Sequence, residues 1–304
     1  MIEKKNKTHV KEILHPRNKH RGLYDFDSLI KTHPSLKEFV QLNPYQNKTI
    51  DFFNPLAVKA LNTALLKTDY KIEYWDFPEG HLCPGVPGRS DYIHYLSDLL
   101  ATDSKPIKQK NINCLDIGTG ANCIYPIIGV SEYNWNFVAT DIDKNSLKSA
   151  QNIIDNNAIL RDKVKLRFQD NSKKIFSGII LKNDFFDISI CNPPFHKSKS
   201  AASLASKQKI ENLSSKENYK PDLNFEGQSH ELWCTGGEKM FIKNMIKQSK
   251  QFSDSCQWFT SLVSKKEHLN SFYDALRKIN AKNVKTIEMK QGNKKSRILA
   301  WTFL

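Results

Sequence analysis

The sequence predicts an α/β protein built on a doubly wound, mostly parallel sheet, and three observations carry that prediction. From Asn113 onward, short apolar runs rich in Val, Ile and Phe alternate with helix-patterned stretches. A glycine-bearing turn, D-I-G-T-G, directly follows the first of those runs. The chain then ends in two strand-like runs joined by a short Gly-containing, Lys-rich turn, so an antiparallel hairpin closes the sheet at its edge.

The first 22 residues hold seven Lys/Arg against two Glu and read as a flexible basic arm. In FNPLAVKALNTALLKT, Asn54 is placed as a cap, Pro55 takes the first helical position and the leucines recur at helical spacing, which predicts a helix over 53–68. A Pro/Gly-rich loop, FPEGHLCPGVPGR, leads to a second helix, SDYIHYLSDLL, with Ser90 as its expected N-cap. The α/β alternation follows: strand NCLDI, helix ANCIYPIIGVSEY, strand NFVATD, helix KNSLKSAQNIIDNN, and strands VKLRFQD and FFDISIC. Later come helix GGEKMFIKNMIKQSKQF, strand CQWFTSLV, helix EHLNSFYDALRKI and the hairpin NVKTIEMKQGNKKSRILAWTFL. Between Phe195 and Gly236 lies a polar stretch too long for a plain connector, and 196–235 is expected to be a substrate loop or lid.

With 304 residues, 39% hydrophobic, the chain is long enough to bury a full core, and no apolar run approaches the ~18 residues of a membrane span. The N-terminus lacks the apolar stretch of a secretory signal, so a cytoplasmic location is expected. The six cysteines include no C-x-x-C pair and the nine histidines no metal-binding helix spacing; buried free thiols and no metal site are expected. A net charge of +14 suits a polyanionic partner, although the Lys/Asn/Ile abundance also fits a codon bias.

Asp116, Gly118, Thr119 and Gly120 sit where a strand runs into a helix, and glycines there let a ligand approach the backbone. Taken alone, the pair also fits an ordinary packing turn. Asp141 ends the next strand about twenty residues later, where an open α/β fold places a carboxylate on the ribose of an adenosine-containing cofactor. A dinucleotide needs a helix N-terminus for its pyrophosphate, whereas this loop suits S-adenosylmethionine (SAM), whose amino-acid end carries no phosphate.

FFDISICNPPF brings a strand to the same rim. Two prolines fix the backbone and remove two N–H donors, so Pro193 and Pro194 offer carbonyls that only accept. With the carboxamide oxygen of Asn192 they match an exocyclic NH2 group, and Phe195 offers a face for a flipped-out base. A strand ended by prolines beside a core Phe would look alike. Asn192 through Phe195 are the candidate catalytic residues.

Beyond these motifs, the blocks LHPRNKHRGLYD, DFFNPLAVKALNTALL, WDFPEGHLCPGVPGRSDYIH, LDIGTGANCIYPIIGV, ICNPPFH, ELWCTGGEKMFIKNMI, WFTSLVSKKE and EMKQGNKKSRILAWTF resemble the RlmF-type 23S rRNA adenine-N6 methyltransferases over nearly the whole chain. The resemblance implies a Rossmann-like class I methyltransferase with a seven-stranded sheet over 105–304, and an N-terminal helical and basic extension over 1–104 that engages RNA and contributes Arg89. It implies SAM as cofactor and methylation of N6 of adenine 1618, in 23S rRNA or a large-subunit assembly intermediate, by a monomer. Carried over residue by residue, it implies cofactor contacts at Arg89, Asp116, Gly118, Thr119, Gly120, Asn122, Asp141, Ile142 and Asn192, with Asp170 or Asn171 bordering the adenine. Lys197, Lys199, Lys294, Lys295 and Arg297 are expected on phosphates. An N-P-P-type enzyme acting on a protein glutamine amide or on DNA adenine, and a non-catalytic RNA-binding assembly factor, are the rivals.

Overall fold

The computed structural model describes residues 14–101, 111–194, 236–291 and 294–304. Its centre is a seven-stranded sheet made of β3 (Asn113–Ile117), β4 (Asn136–Asp141), β5 (Val164–Phe168), β6 (Phe186–Cys191), β7 (Cys256–Val263), β8 (Asn283–Gln291) and β9 (Lys294–Thr302). The order is β5-β4-β3-β6-β7-β9-β8. The first five strands of that order run parallel, while β9 pairs antiparallel with both β7 and β8. All seven coincide with the runs read from sequence; the inner strands β3, β6 and β7, buried on both faces, leave continuous apolar stretches.

Each strand sends alternate residues to opposite faces. In β9, Ile298 and Ala300 join the core on one face, and Leu299 and Trp301 join the core on the other. The first face is covered by α2 (Pro55–Tyr70), α3 (Val86–Leu100), α4 (Ile124–Tyr133) and α5 (Lys144–Asp155). The second carries α7 (Gly237–Ser249) and α8 (Leu269–Lys278), and a short α6 (Ala158–Arg161) precedes β5. A third cluster, formed by α1 (Phe26–Thr32), Leu36, Ile50 of a hairpin (β1, Val40–Leu42; β2, Lys48–Ile50) and Leu61 of α2, stands beside the main core. Sequence patterns gave no sign of α1 or this small hairpin.

Asn54 caps α2 as expected, its carboxamide oxygen accepting from the N–H groups of Leu56 and Ala57 at 3.0 and 3.3 Å. Ser90, by contrast, is not a cap. α3 begins at Val86 with Gly85 at the cap, and Ser90 is fully buried inside it, bonded to Tyr70 and His94 at 3.1 Å each. The early start follows from Pro87, whose fixed φ suits the first turn. Arg89 is thereby set on the first turn of α3.

The expected flexible arm is corrected over residues 14–22, which are docked; residues 1–13 lie outside the described ones. The backbone N–H of His15 donates to Asp91 at 3.0 Å, and His15 Nε2 lies 2.9 Å from Asp98. Asn18 donates to the Pro87 carbonyl at 2.9 Å, Lys19 pairs with Glu132 at 2.7 Å, and His20 reaches the Tyr70 hydroxyl at 2.9 Å. The segment is basic because it answers acids on α3 and α4 more than 70 residues away.

Candidate active site

The chain passes from β3 to β4 and β5 on one side and resumes at β6 on the other, so the order reverses between β3 and β6. The crevice beyond the carboxyl ends of those two strands is where an open α/β sheet binds ligands. A cavity of about 880 Å³ opens there, within the range of small-molecule sites.

Its floor is the turn after β3. Gly118 and Gly120 have φ of +75° and +67°, the left-handed region that disfavours side chains. A Cβ at Gly118 would meet nothing within 4 Å, so the backbone there faces open space. The N–H groups of Gly118 and Thr119 donate to the Thr140 carbonyl at 3.0 and 2.9 Å, which ties the turn to the end of β4. Cys123, at φ +53°, precedes α4 without a side-chain cap of its own. Asn122 fills that place. Its Oδ1 accepts from Ile124 N–H at 3.1 Å, and its Nδ2 donates to the Leu82 carbonyl at 3.2 Å.

Asp141 closes the same turn from β4. Its Oδ2 accepts from Gly120 N–H and its Oδ1 from Asp143 N–H, each at 2.9 Å. Asp141 also lines the cavity, so the carboxylate that shapes the turn stands on its wall. Ile142 beside it is 41% exposed, an apolar face on the same wall.

Asp116 lies beneath the turn, fully buried and outside the cavity wall. Neither of its carboxylate oxygens, nor the Thr119 hydroxyl, has a properly formed hydrogen bond. Burial therefore pushes the Asp116 carboxyl up to about 7; proximity of the Thr119 hydroxyl works against the rise and the charge of Asp141 adds to it.

At the end of β6, Asn192, Pro193 and Pro194 line the cavity, with Pro193 buried. The Oδ1 of Asn192 is buried and has no hydrogen-bond partner among the described residues. An orphaned acceptor of this kind is costly unless a ligand completes it. Phe195, Lys197, Lys199 and the whole 196–235 loop lie outside the described residues.

α3 supplies the wall opposite. Arg89 lines the cavity, makes no ion pair among the described residues, and holds its guanidinium carbon 5.7 Å from the centre of the Tyr125 ring. Tyr125, which sequence reasoning missed, also lines the cavity; it is buried, and its hydroxyl has no well-formed hydrogen bond among the described residues, with Arg89 the nearby cation. One turn after Arg89, Tyr92 reaches under the sheet edge. Its hydroxyl meets Thr260 Oγ1 at 2.7 Å and lies 3.5 Å from the Cys191 carbonyl, while Thr260 donates to the Ser189 carbonyl at 2.6 Å. That chain braces the residue immediately before Asn192.

Asp170 and Asn171 are exposed and absent from the wall, which is formed there by Gln169 and by Ser172 through Ile175. The Oδ1 of Asn171 is turned back to accept from Lys173 N–H at 3.0 Å, whereas Gln169 is buried, its amide held by Ser177 and its backbone N–H by the Asp141 carbonyl. Lys295 is exposed, as a phosphate contact requires, and the side chain of Lys294 lies outside the described ones. Arg297 is 8% exposed and reaches the Ser264 carbonyl at 3.4 Å, so its placement as a surface phosphate contact is corrected: its position in β9 turns it inward. α7 adds Met240, Phe241, Asn244 and Gln248 to the wall at helical spacing, and Gln251 follows just past its end, a second contribution the sequence reading missed.

Three comparisons bear on this arrangement. A family model described as RNA methyltransferase matches residues 8–304. The chain is 54% identical over 298 residues to a ribosomal RNA large subunit methyltransferase F of Flavobacterium johnsoniae, covering 97% of this chain and 94% of that protein. Among solved structures, it superposes on the hMettl16 catalytic domain in complex with MAT2A 3'UTR hairpin 1 with a TM-score of 0.79 at 28% identity, over 96% of each chain. The N-terminal domain of human METTL16 in complex with SAH gives a TM-score of 0.76 at 29% identity, over 96% of this chain and 99% of that one.

Proposed function

The chain belongs to the RNA methyltransferase family, and on that premise we propose that it transfers a methyl group from SAM to N6 of one adenine of 23S rRNA, adenine 1618. The observation that carries the reading is Asn192: a buried, unpartnered carboxamide oxygen at the switch point, followed by two residues that cannot donate. A relative that is a large-subunit rRNA methyltransferase, and structural neighbours holding an RNA hairpin or SAH, support the choice of RNA and of SAM.

The residues present fit SAM. An open glycine floor, a carboxylate at the end of β4, a guanidinium outside any described ion pair and a tyrosine hydroxyl beside it all line a cavity of sufficient size. Arg89 would hold the carboxylate of its methionine end bidentately. Gly118, Thr119 and Gly120 would bring the backbone against it, Asp141 would take the ribose hydroxyls, and Ile142 with the Gln169 segment would border the adenine, in place of Asp170 or Asn171 themselves. When bound, SAM supplies an electrophilic methyl group on a sulfonium.

The protein's own contribution is then orientation. Asn192 Oδ1 accepts one N6 hydrogen of the target adenine and the Pro193 carbonyl the other, which turns the nitrogen lone pair toward the methyl carbon. Phe195 would stack on the base, and the amine proton leaves to water. Residues 1–104 act as the RNA-engaging extension and 105–304 as the transferase domain, working as a monomer in the cytoplasm.

Mass mapping of 23S rRNA from cells lacking the protein tests the proposal. The expected result is loss of a single N6-methyladenine, restored by the purified protein and SAM in vitro. An unaltered methylation map would overturn it.

A further inference from the structure

α7 presents three faces. Ile242, Met245 and Ile246 pack into the core, and Met240 and Asn244 line the cavity. Lys239, Lys243 and Lys247 recur at steps of four along the remaining side. Asn244 and Lys247 belong to two concavities at once: the cavity, and a groove between α7 and α8 whose walls include Lys243 and Lys278. Asn244 and Lys247 thus form the border that the cavity and the groove share on α7.

Lys173 and Lys174 line the cavity from the turn after β5. Gln248 fixes that turn to α7: its Oε1 accepts from Ile175 N–H and its Nε2 donates to the Lys173 carbonyl, both at 2.8 Å. Among the described residues, none of Lys173, Lys174, Lys243, Lys247 and Lys278 makes an ion pair. The one acid lining the groove, Asp274, is already paired with Arg277.

SAM carries no phosphate and a positive sulfonium, and its one carboxylate would be held by Arg89, so further ammonium groups gathered at one end of its cavity do not serve it. They repel one another unless an anion arrives. Resting on the RNA methyltransferase reading above, we propose that this groove is a phosphate track for the single-stranded RNA that flanks the nucleotide in the cavity. Lys243, Lys247 and Lys278 hold successive phosphates as point charges, and Lys173 and Lys174 guide the strand over the lip.

The test uses the full chain and a deproteinised 23S rRNA transcript, with binding measured across a series of KCl concentrations. The double variant Lys243→Gln/Lys278→Gln alters the outer groove alone. It should bind RNA about three- to tenfold more weakly at low salt, and its log K against log salt slope should flatten by about 1.4 to 1.8 for two lost contacts. Its affinity for S-adenosylhomocysteine should equal that of the wild type, which also reports an intact fold. Lys165→Gln/Lys182→Gln, the same charge change on exposed residues that line neither the cavity nor the groove, should leave the slope as it was. An unchanged slope in the first variant, or an equal loss in the second, overturns the track. A wild-type protein that methylates no RNA overturns the proposed function, and the track with it.

Discussion

The backbone N–H of Gly120 donates to Oδ2 of Asp141 at 2.9 Å, so the carboxylate at the end of β4 holds the glycine turn of β3 in place. Its other oxygen holds Asp143 N–H, at the cap of α5. One side chain therefore shapes the cavity floor and also faces the cavity.

Asp141→Ala should lose in both capacities. Two backbone N–H groups lose a charged acceptor, at a cost of about 1–3 kcal/mol in folding stability. Cofactor affinity should fall about tenfold or more. Urea unfolding and calorimetric titration with S-adenosylhomocysteine measure the two effects; an unaltered dissociation constant would remove Asp141 from the site.

Asn192→Ala should separate binding from chemistry. The orphaned oxygen disappears while the turn and Asp141 remain, so cofactor affinity stays within about threefold. Single-turnover methyl transfer to rRNA should slow by about 10²- to 10³-fold, the scale of losing one positioned transition-state contact. Turnover near the wild-type rate would sink the role given to Asn192.

Tyr92→Phe probes the brace under the same strand end. The Thr260 hydroxyl keeps its bond to the Ser189 carbonyl, so the loss in stability should be only about 1 kcal/mol. Turnover should fall while the cofactor dissociation constant holds, because Tyr92 touches the strand leading to Asn192 and is absent from the cavity wall. If both constants move together, Tyr92 is merely a packing residue.

Asp116 makes stability depend on pH. Its folded-state value, about 7, is raised above the ordinary 3.8 by burial, so below pH ~4 the group is neutral in both states and costs nothing. Between about 4 and 7 the unfolded chain gives up the proton and the folded chain keeps it, so stability falls as pH rises and levels off above 7. Asp116→Asn lacks that fall. Relative to wild type it should gain up to about 4 kcal/mol between pH 4 and pH 8, read from urea unfolding. Parallel profiles would show that Asp116 is not held neutral.

The strands and the rim motifs were legible because their signals are local. A fully buried strand needs an unbroken apolar run, and a turn that admits a ligand needs glycine, so β3, β6, Gly118 and Asn192 could be placed without knowing their neighbours. Tyr125 and Met240 were not legible. An aromatic or a methionine at helical spacing reads the same whether it faces a core or a cavity. Asp170 and Asn171 show the limit from the other side, since the backbone turn, not residue type, puts Gln169 inward and those two outward.

By itself, the sequence determined the succession of sheet strands from Asn113 onward, the carboxyl rim on which Gly118, Asp141 and Asn192 meet, and the family resemblance. Tertiary structure decided how the charges are matched. His15, Asn18 and Lys19 are held by Asp98, Asp91, Pro87 and Glu132, so the described end of the basic segment is docked, while Lys243, Lys247 and Lys278 line a groove whose one acid is paired elsewhere. Composition counts both sets alike. Charges find partners through space, across more than 70 residues of chain, and only the fold brings those acids to the N-terminal segment and leaves the groove beside α7 without them.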